Sequence, residues 1–177
     1  YRTPIFENTT TVNFDIHVYA TDGGHIVSKM FLEVLPTDQV LSSIDGLTLY
    51  SDLSGKPSCF SIQSRSTFLK QDSISQGTYF RDMAPADSSD VISAVWHSED
   101  IYFARAESFN FAEATSLMVN NAYNACQPKH TIQNLKYDDV LLLGTATQAI
   151  GVLKIMDIHD EPGFENDRYN FSVKFIK

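Results

Sequence analysis

The chain has 177 residues, of which 43% are hydrophobic and 20% charged, and its formal net charge at pH 7 is −9. This composition is typical of a folded protein with one or two small domains, and it excludes a disordered chain. Phosphate backbones and anionic membranes attract basic faces, so the acidic balance disfavours nucleic acid and membrane surfaces as partners. No apolar run reaches the roughly 18 residues that a membrane-spanning helix needs.

The first predicted element is a hairpin over residues 11–35. Apolar and polar residues alternate over residues 11–20, as in a strand that buries one face. The turn sequence Asp22-Gly23-Gly24 follows, in which glycine supplies positive φ angles. Residues 25–35 then alternate in the same way until Pro36, which cannot continue a ladder of hydrogen bonds.

The middle of the chain predicts several short strands. Residues 39–53 favour two strands around Gly46, and the SGKPS loop at 54–58 is the best candidate for an internal boundary. The SSDVISAVW segment is apolar in its second half, which favours a central strand. The other predicted strands of this region are CFSIQ at 59–63, GTYFR at 77–81 and IYFAR at 101–105, with SSDVISAVW itself at 88–96.

One helix is predicted over residues 111–125. Asn110 and Glu113 have the spacing of a capping box, in which two side chains satisfy free amides at the helix start. Cys126 and Pro128 close the helix, and a shorter turn is expected around Ile132. Side chains spaced by three or four residues predict its buried face, namely Phe111, Ala114, Leu117, Met118 and Ala122.

The stretch 137–177 predicts a three-strand antiparallel meander. Residues 140–143 form an apolar run, and residues 150–158 and 169–176 alternate, with connections short enough to force antiparallel neighbours. We therefore predict a mainly β (α+β) fold, with an antiparallel β-sandwich or barrel-like sheets and one main helix. The prediction is one compact domain over 1–177, or a β part at 1–54 followed by an α+β part at 55–177.

Two groups of side chains are candidate binding residues. Trp96, with Tyr102 and Phe103 nearby, forms either an aromatic platform for a sugar ring or part of the core. The last meander loop is rich in carboxylates, and calcium takes six to eight oxygen ligands from such clusters. The loop is either an ordinary solvated turn or a calcium site, and its acidic residues are Asp157, Asp160, Glu161, Glu165 and Asp167.

Histidine and cysteine positions leave further alternatives open. His17 and His25 face each other across the predicted hairpin, as two zinc ligands or as an exposed pair. Cys59 and Cys126 form either one long-range disulfide or two buried thiols. No GxSxG or SxxK motif occurs, so nucleophilic catalysis is disfavoured and we expect a non-enzymatic protein.

The order of pieces from about residue 59 onward resembles modules of secreted and surface lipoproteins of Bacteroidetes bacteria. The pieces are CFSIQS, ADSSDVISAVW, a helix with small residues, and the ending YDDVLLLGTATQAIGVLKIMDI to NDRYNFSVKFIK. The hairpin at 11–35 resembles the short immunoglobulin-like segment that often precedes such modules. The resemblance implies a location outside the cytoplasm, with a lipid anchor on a cysteine upstream of Tyr1, and glycan binding as in several relatives.

The expected function is therefore a surface or periplasmic module that binds a glycan or a protein partner. The first alternative is a structural or assembly protein whose edge strands make the contacts. The second alternative is a hydrolase that uses carboxylates. The chain begins at Tyr1 rather than Met, which favours removal of an upstream segment and hence export.

Overall fold

The computed structural model describes residues 10–34, 38–85 and 91–177 of the chain. These residues form two compact units, divided between Asp38 and Gln39. The hairpin unit precedes this point and the sandwich unit follows it. A division at 54–58 would separate two hydrogen-bonded strands of the sandwich unit, because residues 42–50 pair with residues 168–175.

The hairpin unit contains the predicted pair of strands, β1 (Thr10–Tyr19) and β2 (His25–Val34). They pair antiparallel around a turn in which Gly23 has φ +88°, so the predicted hairpin is confirmed. Its predicted end at residues 35 and 36 lies outside the described residues. The expectation of a buried face was wrong for most of the hairpin, since its apolar side chains are 42% to 69% exposed at Phe14, Ile16, Val18, Ile26, Met30 and Leu32.

The sandwich unit contains ten described strands. In chain order they are β3 (Ser42–Tyr50), β4 (Cys59–Ser61), β5 (Ser66–Phe68), β6 (Tyr79–Asp82), β7 (Trp96–His97), β8 (Tyr102–Arg105), β9 (Thr131–Ile132), β10 (Val140–Gly144), β11 (Ala149–His159) and β12 (Arg168–Phe175). The meander sheet has the order β3-β12-β11-β10-β8, and the short-strand sheet has the order β5-β4-β6-β7-β9. All described pairs are antiparallel, which confirms the predicted meander and the strands near 59–63, 77–81 and 101–105.

Aromatic side chains join the two sheets face to face. The ring of Phe60 lies 5.5 Å from that of Phe171, and the ring of Trp96 lies 5.1 Å from that of Tyr169. Each pair has one member in each sheet, and all four side chains are fully buried. The unit is therefore an antiparallel β-sandwich, as predicted, and its described strands form no closed barrel.

The helix begins later than the sequence predicts. The helix α1 spans Ser116–Asn124, and its cap is Thr115, whose hydroxyl oxygen accepts a hydrogen bond from the Met118 amide at 3.4 Å. The amide of Glu113 does donate to the side-chain oxygen of Asn110 at 3.4 Å, as in half of a capping box, but inside a turn. The amide of Ser116 donates to the carbonyl of Gln39, which holds the chain extended just before the helix.

The buried face of the predicted helix is confirmed in part, since Ala114 is buried and Phe111 and Ala122 pack against the same cluster. Val119 and Tyr123 pack against the outer face of the meander sheet, whereas Leu117 and Met118 are 37% and 38% exposed. The later start explains the difference at Leu117 and Met118, because the prediction counted its helical period from Phe111. The helix therefore forms a third layer on the sandwich.

Three local predictions are corrected by the structure. Residues 91–95 contain no strand, and only Trp96–His97 at the end of the predicted segment is extended, while 88–90 lie outside the described residues. One strand, β3, runs through Gly46, where φ is +70°. Of the turn expected around Ile132 to Leu135, Ile132 instead belongs to a two-residue strand that pairs with Trp96, and a bend follows at Asn134, where φ is +55°.

Candidate functional site

The predicted aromatic platform belongs to the core. Trp96 is 0% exposed and Phe103 is 1% exposed, so neither ring offers a face to a ligand. Trp96 points inward because it pairs with Asp82 and Ile132 on the inner face of the short-strand sheet. Tyr102 is half-buried, with its ring 3.9 Å from the ring of His130. The structure therefore corrects this prediction in favour of core packing.

The acidic loop does not gather its carboxylates around a common point. Asp157 contacts His159 at 2.6 Å, Asp160 accepts a hydrogen bond from the Ile92 amide, and Asp167 accepts one from the Glu161 amide. Across residues 10–34, 38–85 and 91–177, no three His, Cys, Asp or Glu side chains are placed to hold a metal ion. Three of the acidic side chains thus hold backbone or a neighbouring ring in place.

The two cysteines are free thiols. Cys59 is buried in β4, and burial raises the pKa of its thiol to about 11. A thiol that stays protonated is a poor nucleophile, so Cys59 acts as a small apolar side chain. Cys126 follows α1 and is half-buried.

A cleft beside β7 and β9 is the best candidate site of the sandwich unit. Its cavity volume is about 510 Å³, within the usual range for ligand pockets. One side is mostly aliphatic and the other carries hydrogen-bonding groups. The lining residues are Met83, Ala84, Pro85, Val91, Ile92, Ser93, Val95, His97, Thr131 and Gln133.

His97 is held at the polar side of the cleft by two neighbours. Its Nε2 lies 3.1 Å from a carboxylate oxygen of Glu99, and its Nδ1 lies 2.8 Å from the Thr131 hydroxyl. A carboxylate only accepts, so Nε2–H donates to Glu99 and Nδ1 of the neutral ring accepts from Thr131. The hydrogen bond from His97 lowers the pKa of the Glu99 carboxyl. The result is a fixed imidazole between a hydroxyl and an ionised carboxylate.

Two carboxylates anchor the aliphatic wall, which has no regular secondary structure. The Ile92 amide donates to Asp160 at 3.1 Å, and the Ser93 hydroxyl donates to Asp82 at 2.9 Å. Ala94 follows Ser93 and leads toward β7. Its φ is +50°, an uncommon conformation for a residue with a side chain. The wall therefore depends on side-chain anchors rather than on a sheet ladder.

Asp82 is the buried anchor of this wall. It is 0% exposed and also accepts hydrogen bonds from the Tyr169 hydroxyl and the Asp52 amide. Burial raises the pKa of Asp82 to about 6, and burial together with Asp82 raises the pKa of Tyr169. The nearby Asp52 carboxylate is paired with Lys70 at 2.6 Å. Asp82 is thus well hydrogen-bonded, but its burial disfavours the ionised form of the carboxyl.

Sequence reasoning did not identify His97, Thr131 or the cleft. The two residues are neighbours only because β7 and β9 pair, 34 positions apart in the chain. The single local signal is the His97-Ser98-Glu99 spacing, which places an imidazole and a carboxylate on one side of an extended segment. That signal is weak without the fold.

Comparisons of the chain with protein-family models, with curated proteins and with solved structures gave no match. The resemblance to surface lipoprotein modules therefore stays a prediction. Among the described residues, the structure contains no helix with the length and apolar character to cross a bilayer.

Proposed function

We propose that this protein is a binding module, and that its cleft takes a short extended segment of a protein partner. The observation that carries the proposal is the pairing of an aliphatic wall with a fixed polar group, since ligand pockets combine these features. Val91 and Val95 would pack against an aliphatic side chain of the partner. Thr131 and Gln133 would bond its backbone groups.

The composition of the cleft favours a peptide over a glycan. Sugar rings are usually stacked on aromatic side chains, and the described lining residues include no Phe, Tyr or Trp. Main-chain amides and carbonyls of a peptide match the hydroxyl and amide groups of the polar side. The glycan version of the expected function is therefore the weaker one.

Charge favours a basic partner. The chain carries a net charge of −9, and the Glu99 side chain beside the cleft is 86% exposed. Opposite charge speeds the encounter of two proteins and selects among partners. We therefore expect a lysine or arginine of the partner to lie against Glu99, next to the aliphatic residue in the cleft.

A location outside the cytoplasm belongs to the same proposal. Its support is the sequence resemblance to surface lipoproteins, which implies exposure to partners outside the cell. Fractionation of cells that express the complete gene would test it, with the protein expected in the membrane or periplasmic fraction. Recovery in the cytoplasmic fraction alone would contradict this location and leave the cleft proposal intact.

The binding proposal is tested by selecting peptides on the purified chain and measuring their affinity for variants. Val91 is 52% exposed in the wall, so Val91→Trp fills the cleft without disturbing the core. Met156→Trp is the matched control, because Met156 is 47% exposed on another part of the unit. We expect selected peptides to lose affinity with Val91→Trp and to keep it with Met156→Trp.

A parallel pair of variants tests the polar side of the cleft. His97→Ala removes the imidazole between Thr131 and Glu99, whereas His159→Ala removes a histidine that pairs with Asp157 elsewhere. We expect only His97→Ala to weaken the peptides. Equal affinity for the filled cleft and the wild type, or selection of glycans in place of peptides, would refute the proposal.

Hydrolysis is a second candidate function, favoured by one observation. Thr131, His97 and Glu99 stand in the order hydroxyl, imidazole, carboxylate, which is the order of nucleophile, base and orienting group. Against it, the carboxylate is largely exposed, so water competes with its hydrogen bond. Hydrolysis of nitrophenyl esters that Thr131→Ala abolishes and Thr67→Ala preserves would favour an enzyme over a binding module.

A further inference from the structure

The hairpin unit carries two histidines that the proposed function does not use. Nδ1 of His17 lies 3.0 Å from Nε2 of His25, and both side chains are exposed. The pair lies at the turn end of the hairpin, where Tyr19 is opposite His25 and His17 is opposite Val27. This register places Tyr19, His17 and His25 on one face of the hairpin.

The tyrosine ring holds one imidazole in place. The rings of Tyr19 and His25 are stacked with centroids 4.5 Å apart and an interplanar angle of 9°. The two imidazoles are also nearly parallel, at 13°, with centroids 5.2 Å apart. The turn beneath them is closed by the amide of Ala20, which donates to the Gly24 carbonyl at 2.7 Å. Two nitrogens are therefore held close together on a defined backbone.

Their separation fits the requirement of a chelated metal ion. Metal–imidazole bonds of about 2.0 Å place two nitrogens roughly 2.8 Å apart at a square-planar centre and about 3.3 Å apart at a tetrahedral one. The observed 3.0 Å lies between these two values. Imidazole is a ligand that divalent transition metals favour, with copper bound most tightly of the series.

We propose that His17 and His25 chelate a divalent transition-metal ion, Cu²⁺ in preference to Zn²⁺. The hydrogen bond between the two nitrogens is exchanged for two metal–nitrogen bonds, as each exposed ring turns to aim its lone pair at the ion. The proton that one nitrogen donates moves to the other nitrogen of the same ring, so a neutral pair releases none. No third side chain among the described residues joins the pair, so water fills the other positions.

The metal would act as a clip on the hairpin. A two-stranded hairpin is marginally stable in water, and a ligand that binds only the folded form stabilises it by mass action. The clip joins β1 to β2 next to the turn, so it opposes fraying of both strands. Loading with metal would thereby order the hairpin and fix the surface that it presents.

The test uses the untagged full chain, titrated with CuCl₂ and separately with ZnCl₂ by calorimetry, with electron paramagnetic resonance on the copper samples. We expect one metal ion per chain, tighter binding of copper, and a copper spectrum with two coupled nitrogens. His17→Gln and His25→Gln should each weaken copper binding at least about tenfold, since loss of even an outer-shell partner of a metal costs this much. Each should also leave one coupled nitrogen.

Control variants and a second readout complete the design. His159→Gln removes another solvent-accessible histidine and should leave copper affinity and the spectrum unchanged. Hydrogen exchange of β1 and β2 amides should slow on addition of copper in the wild type and not in His25→Gln. Unchanged affinity in both hairpin variants, or half a metal ion per chain in a dimer, would overturn the one-hairpin chelate.

Discussion

The hairpin unit and the sandwich unit have the same alternating sequence pattern and opposite outcomes. Phe80 in the sandwich unit is 0% exposed, whereas Phe14 in the hairpin unit is 42% exposed. Alternation decides which side chains share a face of a strand, but a second layer decides whether that face is buried. The short-strand sheet has such a layer in the meander sheet. Among the described residues, the buried apolar side chains that stabilise the fold therefore lie in the sandwich unit.

The largest expected effect comes from truncating one phenylalanine in each unit. Phe80→Ala removes a ring that contacts Trp96 and Phe103, so we expect a loss of about 3–5 kcal/mol in the free energy of unfolding. Phe14→Ala should change it by no more than about 0.5 kcal/mol, as for an exposed side chain. Urea denaturation followed by Trp96 fluorescence, which reports on the sandwich unit, and by circular dichroism, which reports on both units, measures these changes. Equal losses would contradict the contrast between the two units.

The second effect is a pH dependence confined to the sandwich unit. Asp82 has a pKa of about 6 in the folded protein, raised by burial from an ordinary value of 3.8. The folded state therefore binds the proton more tightly, and this group makes stability fall as the pH rises between these two values. The difference between these two pKa values corresponds to roughly 3 kcal/mol. The neighbouring groups are Tyr169, Ser93 and Asp52, with Asp52 neutralised by Lys70.

Asp82→Asn tests this dependence directly. The side-chain oxygen of asparagine still accepts from Tyr169 and Ser93, but the variant has no proton to lose. Relative to the wild type, it should gain stability as the pH rises from 4 to 7, by urea denaturation at each pH. If the free energies of unfolding of the two proteins changed with pH in parallel, the buried carboxyl of Asp82 would not be the cause of the pH dependence.

A smaller effect distinguishes the two candidate caps of the helix. Thr115→Ala removes the hydroxyl that accepts from Met118, so we expect a loss of about 1 kcal/mol. Asn110→Ala removes contacts in an exposed turn and should cost less than half of that amount. The free energies of unfolding of both variants and the wild type decide between the caps. A larger loss for Asn110→Ala would restore the helix start that the sequence predicts.

The sequence was most informative where local rules decide the structure. The meander follows from alternation and short connections, and the turn at Gly23 follows from its glycines. The helix start could not be read locally, because the Gln39 amide donates to the Ser116 side chain from 77 positions away. Trp96 was ambiguous for a similar reason, since its direction is set by its pairing with Asp82 and Ile132.

The cleft was beyond prediction for the same physical reason. Its wall at 91–95 has irregular backbone that is held by Asp82 and Asp160, and its polar side comes from β9. No regular spacing of apolar residues in the sequence predicts such a wall. The paired histidines of the hairpin were predictable as neighbours, because the register of a short hairpin follows from its turn.

The most direct test of the central claim is to map a selected peptide on the full chain by amide chemical-shift perturbation. The cleft account predicts that the largest shifts fall within residues 91–97 and 131–133, with little change in the hairpin unit. Val91→Trp should abolish these shifts and Met156→Trp should retain them. Shifts that cluster in β1 and β2, or that survive filling of the cleft, would contradict the account.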